Sequence, residues 1–201
     1  MRRVTLQIDG KGVEVEEGTT ILKAAERAGV EIPTLCYHKE LSPYGACRIC
    51  LVQITREGEK RRRCVTSCTY PVEDGLIVYT NSEEVMKARR FIIALLLSKA
   101  PESDRLKRLA LEYRVIGDSP DELAAHLFKR ASERDPTNCI LCGLCVRVCS
   151  EIVGMKAISF AHRGMMRRVQ TPFDKISESC IGCGACAYLC PTGAIKIEEA
   201  Y

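Results

Sequence analysis

Eight of the thirteen cysteines in this 201-residue chain fall into two runs of one spacing. They are Cys139-x2-Cys142-x2-Cys145-x3-Cys149 and Cys180-x2-Cys183-x2-Cys186-x3-Cys190-Pro191. Thiolates at this spacing, repeated, suit a pair of [4Fe–4S] clusters in which the fourth cysteine of each run serves the other cluster. One site is therefore expected from Cys139, Cys142, Cys145 and Cys190, and the second from Cys149, Cys180, Cys183 and Cys186. The first three cysteines of each run read as a tight loop, and the fourth as pointing away where a helix begins. Gly143, Gly182 and Gly184 suit such loops, because a residue without Cβ lets backbone approach closely. A disulfide framework needs an oxidising compartment, and the odd cysteine count forbids complete pairing within one chain. Structural zinc uses well-separated ligand pairs rather than two matched quartets.

A second group of cysteines lies upstream. Cys36-x10-Cys47-x2-Cys50 with a distant fourth cysteine follows the ligand logic of a plant-type [2Fe–2S] site. It departs from the usual spacing, in which four residues separate the first two ligands. Cys64 and Cys68 both stand at the distance of a fourth ligand. Cys64 falls inside an expected strand, between Arg63 and Val65, whereas Cys68 falls just past it in a Ser67-to-Pro71 loop that lets its sulfur turn inward. Cys68 is the favoured ligand and Cys64 a small strand residue. Twelve cysteines then serve three clusters and Cys64 is left over.

The elements that must position these thiols can be read from periodicity and punctuation. Residues 2–8 and 13–16 form an expected hairpin around Asp9-Gly10, and Thr19 or Thr20 caps a helix closed by Gly29. A cysteine loop follows, then strands over 51–55, 61–66 and 76–80. Residues 81–133 hold no cysteine and read as helices: one capped by Ser82 and ended at Ala100-Pro101, one over 104–113, and one opening at Ser119 with Pro120 in its first turn. In the last region 157–160 and 168–171 are expected to pair around Arg163-Gly164. The fold class is α+β. The expected division is a [2Fe–2S] ferredoxin-like β-grasp domain over 1–80, a cluster-free helical linker over 81–133, and a 2[4Fe–4S] ferredoxin-like domain over 134–201 beginning near Asp135.

Composition narrows the rest. With 30 basic and 26 acidic residues the charge is too balanced to imply a nucleic-acid partner. Lys60-Arg61-Arg62-Arg63 is the one dense basic run and reads as a solvated turn, or as a contact for an acidic protein. No phosphate-cradling or dinucleotide-binding glycine motif occurs, so no flavin or nicotinamide site is visible and no catalytic residue is assigned. His126 is expected to be structural, and His162, Met165 and Met166 to be packing or surface residues rather than ligands. The N-terminus lacks the apolar stretch of a signal peptide, and the longest apolar run, Phe91 to Leu97, is far short of a membrane span. A cytoplasmic protein is expected.

Cys36-Tyr37-His38, Tyr44-Gly45-Ala46-Cys47-Arg48-Ile49-Cys50 and Ser67-Cys68-Thr69-Tyr70-Pro71-Val72 resemble the N-terminal [2Fe–2S] domain of the large iron–sulfur subunit of respiratory complex I. The same domain occurs in its relatives in NAD-linked hydrogenases and formate dehydrogenases. Asn138 to Gly143 and Cys180 to Cys186 resemble that family's [4Fe–4S] module. The resemblance implies Cys68 as the fourth ligand. It also implies an electron-transfer subunit, without catalysis of its own, that relays single electrons in a hetero-oligomer. Its partners would be a flavin-containing NAD(P)H-oxidising subunit and a catalytic subunit of hydrogenase or formate dehydrogenase type. Complex I relatives carry a further cluster held by one His and three Cys, but no cysteine occurs between Ser82 and Asn138, so that cluster is expected to be absent. Ending at Tyr201, the chain is most similar to the short diaphorase-linked subunits of soluble NAD-linked or electron-bifurcating hydrogenases and their formate dehydrogenase counterparts. A redox sensor, a free ferredoxin-like carrier, or a nucleic-acid enzyme with structural clusters are the rival expectations.

Overall fold

The computed structural model describes residues 2–132, 136–175 and 177–197. The expected module start at Asp135, the boundary at 133–134, the chain end at Tyr201 and the side chain of Met165 fall outside what it describes.

Alternation builds the first layer. In β1 (Arg3–Ile8) the residues Val4, Leu6 and Ile8 point inward, and Val13 and Val15 of β2 (Lys11–Glu16) join them. The two strands pair antiparallel around Asp9-Gly10. Thr20 caps α1 (Ile21–Arg27) by accepting the Lys23 N–H, and Gly29 takes the left-handed backbone that ends it (φ 68°). β3 (Leu51–Arg56), β4 (Arg63–Thr66) and β5 (Leu76–Tyr79) complete a five-stranded sheet in the order β2-β1-β5-β3-β4. Only the β1–β5 pair is parallel. The mixed sheet with α1 packed against it is the β-grasp arrangement, and its core joins Ile21, Leu22, Ala24 and Ala25 to Val52, Ile54, Leu76 and Val78.

Three helices follow: α2 (Glu83–Lys99), α3 (Asp104–Glu112) and α4 (Glu122–Ala131). Ser82 and Ser103 cap the first two, as their hydroxyls accept the Val85 and Leu106 N–H groups. The cap of α4 is Asp121, not Ser119, so Pro120 lies outside the helix rather than in its first turn. Asp121 wins because its carboxylate serves two partners. Oδ1 accepts the Ala124 N–H at 3.0 Å while Oδ2 meets Arg90 Nη1 at 3.4 Å.

The helices do more than space the modules. Ile93 and Leu97 of α2, Leu106 and Ala110 of α3, and Ala124 of α4 share one core with Leu35, Leu41 and Ile49 from the first cysteine loop and with Ile140, Leu144 and Val148 from the third region. The described C-terminal part has little regular structure. It comprises α5 (Leu144–Arg147), running into a π-turn over Val148–Ile152, a hairpin of β6 (Ser159–Ala161) and β7 (Arg168–Gln170), and α6 (Ala185–Tyr188). The hairpin differs from expectation at its open end, omitting Ala157, Ile158 and Thr171, while β6 runs one residue further, to Ala161. No helix among the described residues is long and apolar enough to cross a membrane.

Candidate metal centres

Each cysteine group sits where a loop meets the start of a strand or a short helix. Cys36, Cys47 and Cys50 lie on the loop between α1 and β3, and Cys68 lies just after β4. All four are buried, and they converge. Cys50 Sγ is 3.4 Å from Cys68 Sγ, and the Cys47 N–H donates to Cys36 Sγ at 3.4 Å. Hydrogen bonds from the Cys47 thiol and then the Cys68 thiol hold Cys36 far below the ordinary thiol range, and the Cys68 thiol does the same for Cys50. Sharing its proton with Cys36 raises Cys47, and sharing with Cys36 and Cys50 raises Cys68. A dry knot of four thiols that already favours thiolate at two of them fits a cationic metal centre, which takes thiolate ligands. The Ser67 hydroxyl is fully buried without a well-formed hydrogen bond and lies close enough to Cys50 to favour its thiolate. It is a spare donor of the kind that hydrogen-bonds cluster sulfur. Cys64 lies on β4, exposed and opposite Gln53, apart from this knot.

The remaining eight cysteines separate into two cavities. Cys139, Cys142, Cys145 and Cys190 line one of about 370 Å³. Cys149, Cys180, Cys183 and Cys186 line another of about 470 Å³. The fourth cysteine of each run thus faces the other run's loop. The local geometry differs from expectation in one respect. The short helices begin before the third cysteine, at Leu144 and Ala185, so Cys149 lies in the π-turn and Cys190 past the end of α6, not at helix starts. Gly143 and Gly184, at φ 74° and 72°, make the left-handed turn into each helix.

The first cavity is the drier. Burial pushes the Cys142 thiol up to about 11 and the Cys145 thiol up to about 12. Burial also raises Cys190, but the Thr192 hydroxyl and the amides of Thr192, Ile195 and Ala194 outweigh it and lower this thiol overall. The Ala194 N–H donates to Cys190 Sγ at 3.2 Å, and the Ala157 N–H donates to Cys149 Sγ at 3.3 Å. Such N–H···S bonds are how a protein stabilises thiolate ligands and tunes cluster potential. In the second cavity Cys180 and Cys183 are exposed, beside the exposed Ile181 and Ile197.

His126 is exposed on α4, His162 is exposed in the β6–β7 connection, and Met166 is solvent-facing. Lys60, Arg61 and Arg62 form the exposed β3–β4 connection. Arg62 lies over the Tyr79 ring at 4.0 Å, and Arg63, opening β4, hydrogen-bonds the Tyr70 hydroxyl at 2.7 Å.

Two arginines beside the first cysteine loop were not singled out by sequence reasoning. Arg89 of α2 is 1% exposed and Arg147 of α5 is 8% exposed. Arg89 Nε donates to the Ile49 carbonyl at 3.1 Å and Nη2 to the Leu51 carbonyl at 2.8 Å, on either side of Cys50. Arg147 Nη2 donates to the Cys36 carbonyl at 2.6 Å and Nη1 to that of Ser42. The signal for Arg89 was available: it stands between Val85 and Ile93 on the buried stripe of α2, where an unpaired cation is costly. Nothing local marks Arg147.

The comparisons with known proteins match the two ends of the chain to two iron–sulfur domains. Residues 1–83 match the 2Fe-2S iron-sulfur cluster binding domain and residues 134–198 the 4Fe-4S dicluster domain. Over 96% of its length the chain is 40% identical to the NADPH-Fe(3+) oxidoreductase subunit alpha of Geobacter sulfurreducens. Over 99% of its length it is 36% identical to the NADP-reducing hydrogenase subunit HndD of Solidesulfovibrio fructosivorans. Over 96% it is 34% identical to the NADH-ubiquinone oxidoreductase 75 kDa subunit of Reclinomonas americana. The chain spans 24%, 37% and 29% of these three relatives in turn. Among solved structures it is similar to a chain of an NAD+-reducing [NiFe]-hydrogenase in the H2-reduced state. The TM-score is 0.74 at 26% identity, covering 94% of this chain and 85% of that one.

Proposed function

Because this chain belongs to the iron–sulfur proteins that join a 2Fe-2S cluster binding domain to a 4Fe-4S dicluster domain, we propose that it is an electron-transfer subunit. It relays single electrons between a flavin-bearing NAD(P)H-oxidising subunit and a catalytic subunit of hydrogenase or formate dehydrogenase type. In this reading Cys36, Cys47, Cys50 and Cys68 hold a [2Fe–2S] cluster. Cys139, Cys142, Cys145 and Cys190 hold one [4Fe–4S] cluster, and Cys149, Cys180, Cys183 and Cys186 hold the second. The observation that carries the reading is the sorting of the last eight cysteines into two cavities, each completed by a cysteine from the other run. The relatives named above, all NAD(P)-linked oxidoreductases or hydrogenases, support the class of partner.

The bound clusters supply reversible one-electron chemistry at potentials that the surrounding protein adjusts. The work of this chain's residues is to fix and insulate. The core shared by Leu35, Ile93, Leu106 and Leu144 holds the first two thiol groups in one packed unit, and helices α2, α3 and α4 act as its mortar. Burial falls along the chain, from four buried thiols in the first group, through a mixed second group, to Cys180 and Cys183 at the surface. That order supports a relay with an enclosed beginning and an open end. The open end is also the feature that fits the second reading, a redox sensor.

The test is anaerobic purification of the tagged protein from its own cell, with native mass and iron content. A complex containing a flavin subunit and a metal-bearing catalytic subunit, with about ten irons in this chain as the ligand count requires, is the expected result. A lone protein with those irons would overturn the subunit reading in favour of a carrier or sensor.

A further inference from the structure

Arg89 and Arg147 come from different modules, yet both end on the main chain of the first cysteine loop. Buried arginine is expensive unless it is paired, because removing a guanidinium from water costs several kcal/mol. Neither residue has an acidic side chain in ion-pair contact among the described residues. The other partners of Arg89 are neutral: Asn81 Oδ1 at 3.3 Å and the Tyr113 hydroxyl at 3.2 Å. Arg147 lies 5.5 Å from the Tyr44 ring and leaves its Nε without a hydrogen bond. Glu151 is near enough to Arg147 for the cation to help lower its pKa, but that carboxylate is exposed and is spent on the Ser42 N–H at 2.7 Å.

Two cations thus sit in the protein interior with no ion-paired carboxylate among the described residues, held by neutral groups that include the carbonyl of Cys36 and those on either side of Cys50. We propose that Arg89 and Arg147 are positioning residues for the [2Fe–2S] site. They staple its loop from two sides and supply the fixed positive charge that favours its reduced state. The inference rests on the cluster assignment given above. Reduction adds one electron, and so one negative charge, to a centre whose thiolate ligands are already anionic. A fixed cation nearby in low dielectric stabilises that added charge and raises the potential. Arg89 is the stronger of the two, since it is more deeply buried and has no carboxylate in contact among the described residues, whereas Glu151 partly offsets Arg147.

The test is a redox titration of the intact protein, following the electron paramagnetic resonance signal of the reduced [2Fe–2S] centre, with the [4Fe–4S] signals as internal reference. Arg89→Met keeps the bulk and removes the charge. It should lower the reduced-to-oxidised ratio at a fixed ambient potential about tenfold, which is about 59 mV for a one-electron couple. Arg147→Met should shift the same signal the same way by less, and Arg89→Lys should restore most of the ratio. An unchanged [2Fe–2S] midpoint in the methionine variants that retain full iron would overturn the proposal, and so would an equal shift of all three centres. If Arg89→Met does not fold, Arg89→Lys and Arg147→Met decide the matter in the same titration. A wild-type protein with no [2Fe–2S] signal would overturn the cluster assignment itself, a failure distinct from an unmoved midpoint.

Discussion

The first and last cysteine groups solve the same chemical problem in opposite surroundings. Cys36, Cys47, Cys50 and Cys68 are buried where two hydrophobic cores meet, with sulfur touching sulfur and two arginines fastening the loop. Cys149, Cys180, Cys183 and Cys186 line an open cavity beside exposed Ile181 and Ile197, and none of the four is buried. The difference teaches that thiol spacing specifies a cluster type without specifying its environment. The environment comes from what packs behind the loop, and it sets potential, solvent access and robustness.

The largest effect should come from removing a thiol where the cage is closed. Cys68→Ser is expected to abolish the [2Fe–2S] resonance signal, while Cys64→Ser, on the exposed face of β4, leaves it intact. Loss of the signal in the Cys64 variant alone would exchange the roles of the two residues. Next in size is the test of the crossed pairs. Cys149→Ser should damage the centre otherwise held by Cys180, Cys183 and Cys186, and Cys190→Ser the one held by Cys139, Cys142 and Cys145. Each variant is read by which [4Fe–4S] signal weakens, and the uncrossed result would end that assignment.

How much of this could be read from the chain depends on range. Thiol spacing, the Asp9-Gly10 turn, the Thr20 and Ser82 caps and the strand alternation are local and chemically distinctive, and they appear where expected. The start of α4 was misplaced because Ser119-Pro120 is a good local signal, outweighed by a tertiary one, the Arg90–Asp121 contact. The helix starts around Cys149 and Cys190 were misplaced because left-handed Gly143 and Gly184 open their helices earlier than the cysteine spacing suggests. The role of Arg147 was illegible, since its meaning depends on Cys36 and Ser42, 111 and 105 residues away.

A smaller contrast follows from exposure. Oxidative attack on a thiolate site scales with its access to solvent. Under limiting ferricyanide the centre near Cys180 and Cys183 should be lost first, roughly tenfold or more faster than the buried [2Fe–2S] centre. Iron content and resonance signals followed together would check this. Simultaneous loss of all centres would mean that the protein opens as a whole before any one site is attacked.

The finest contrast lies between the two [4Fe–4S] loops themselves. Leu141 and Gly182 occupy the same place between the first and second cysteines of their runs, and both have left-handed backbone, φ 54° and 68°. Among the described residues, a Cβ at Gly182 would meet nothing within 4 Å. Gly182→Ala should therefore cost only the backbone penalty, about 1 kcal/mol. Gly143 has the same hand (φ 74°), but a Cβ there comes within 3.2 Å of both the Tyr44 and Phe160 rings. Tyr44 belongs to the first cysteine loop and Phe160 to β6, and their rings stack with centroids 6.1 Å apart. Gly143→Ala must therefore strain the backbone and also part a contact between modules, so it should cost more than Gly182→Ala in denaturant melts of the cluster-loaded protein. Equal costs would mean that the rings yield freely. The tight packing that distinguishes the enclosed end of the molecule from the open one would then stop short of the first [4Fe–4S] loop.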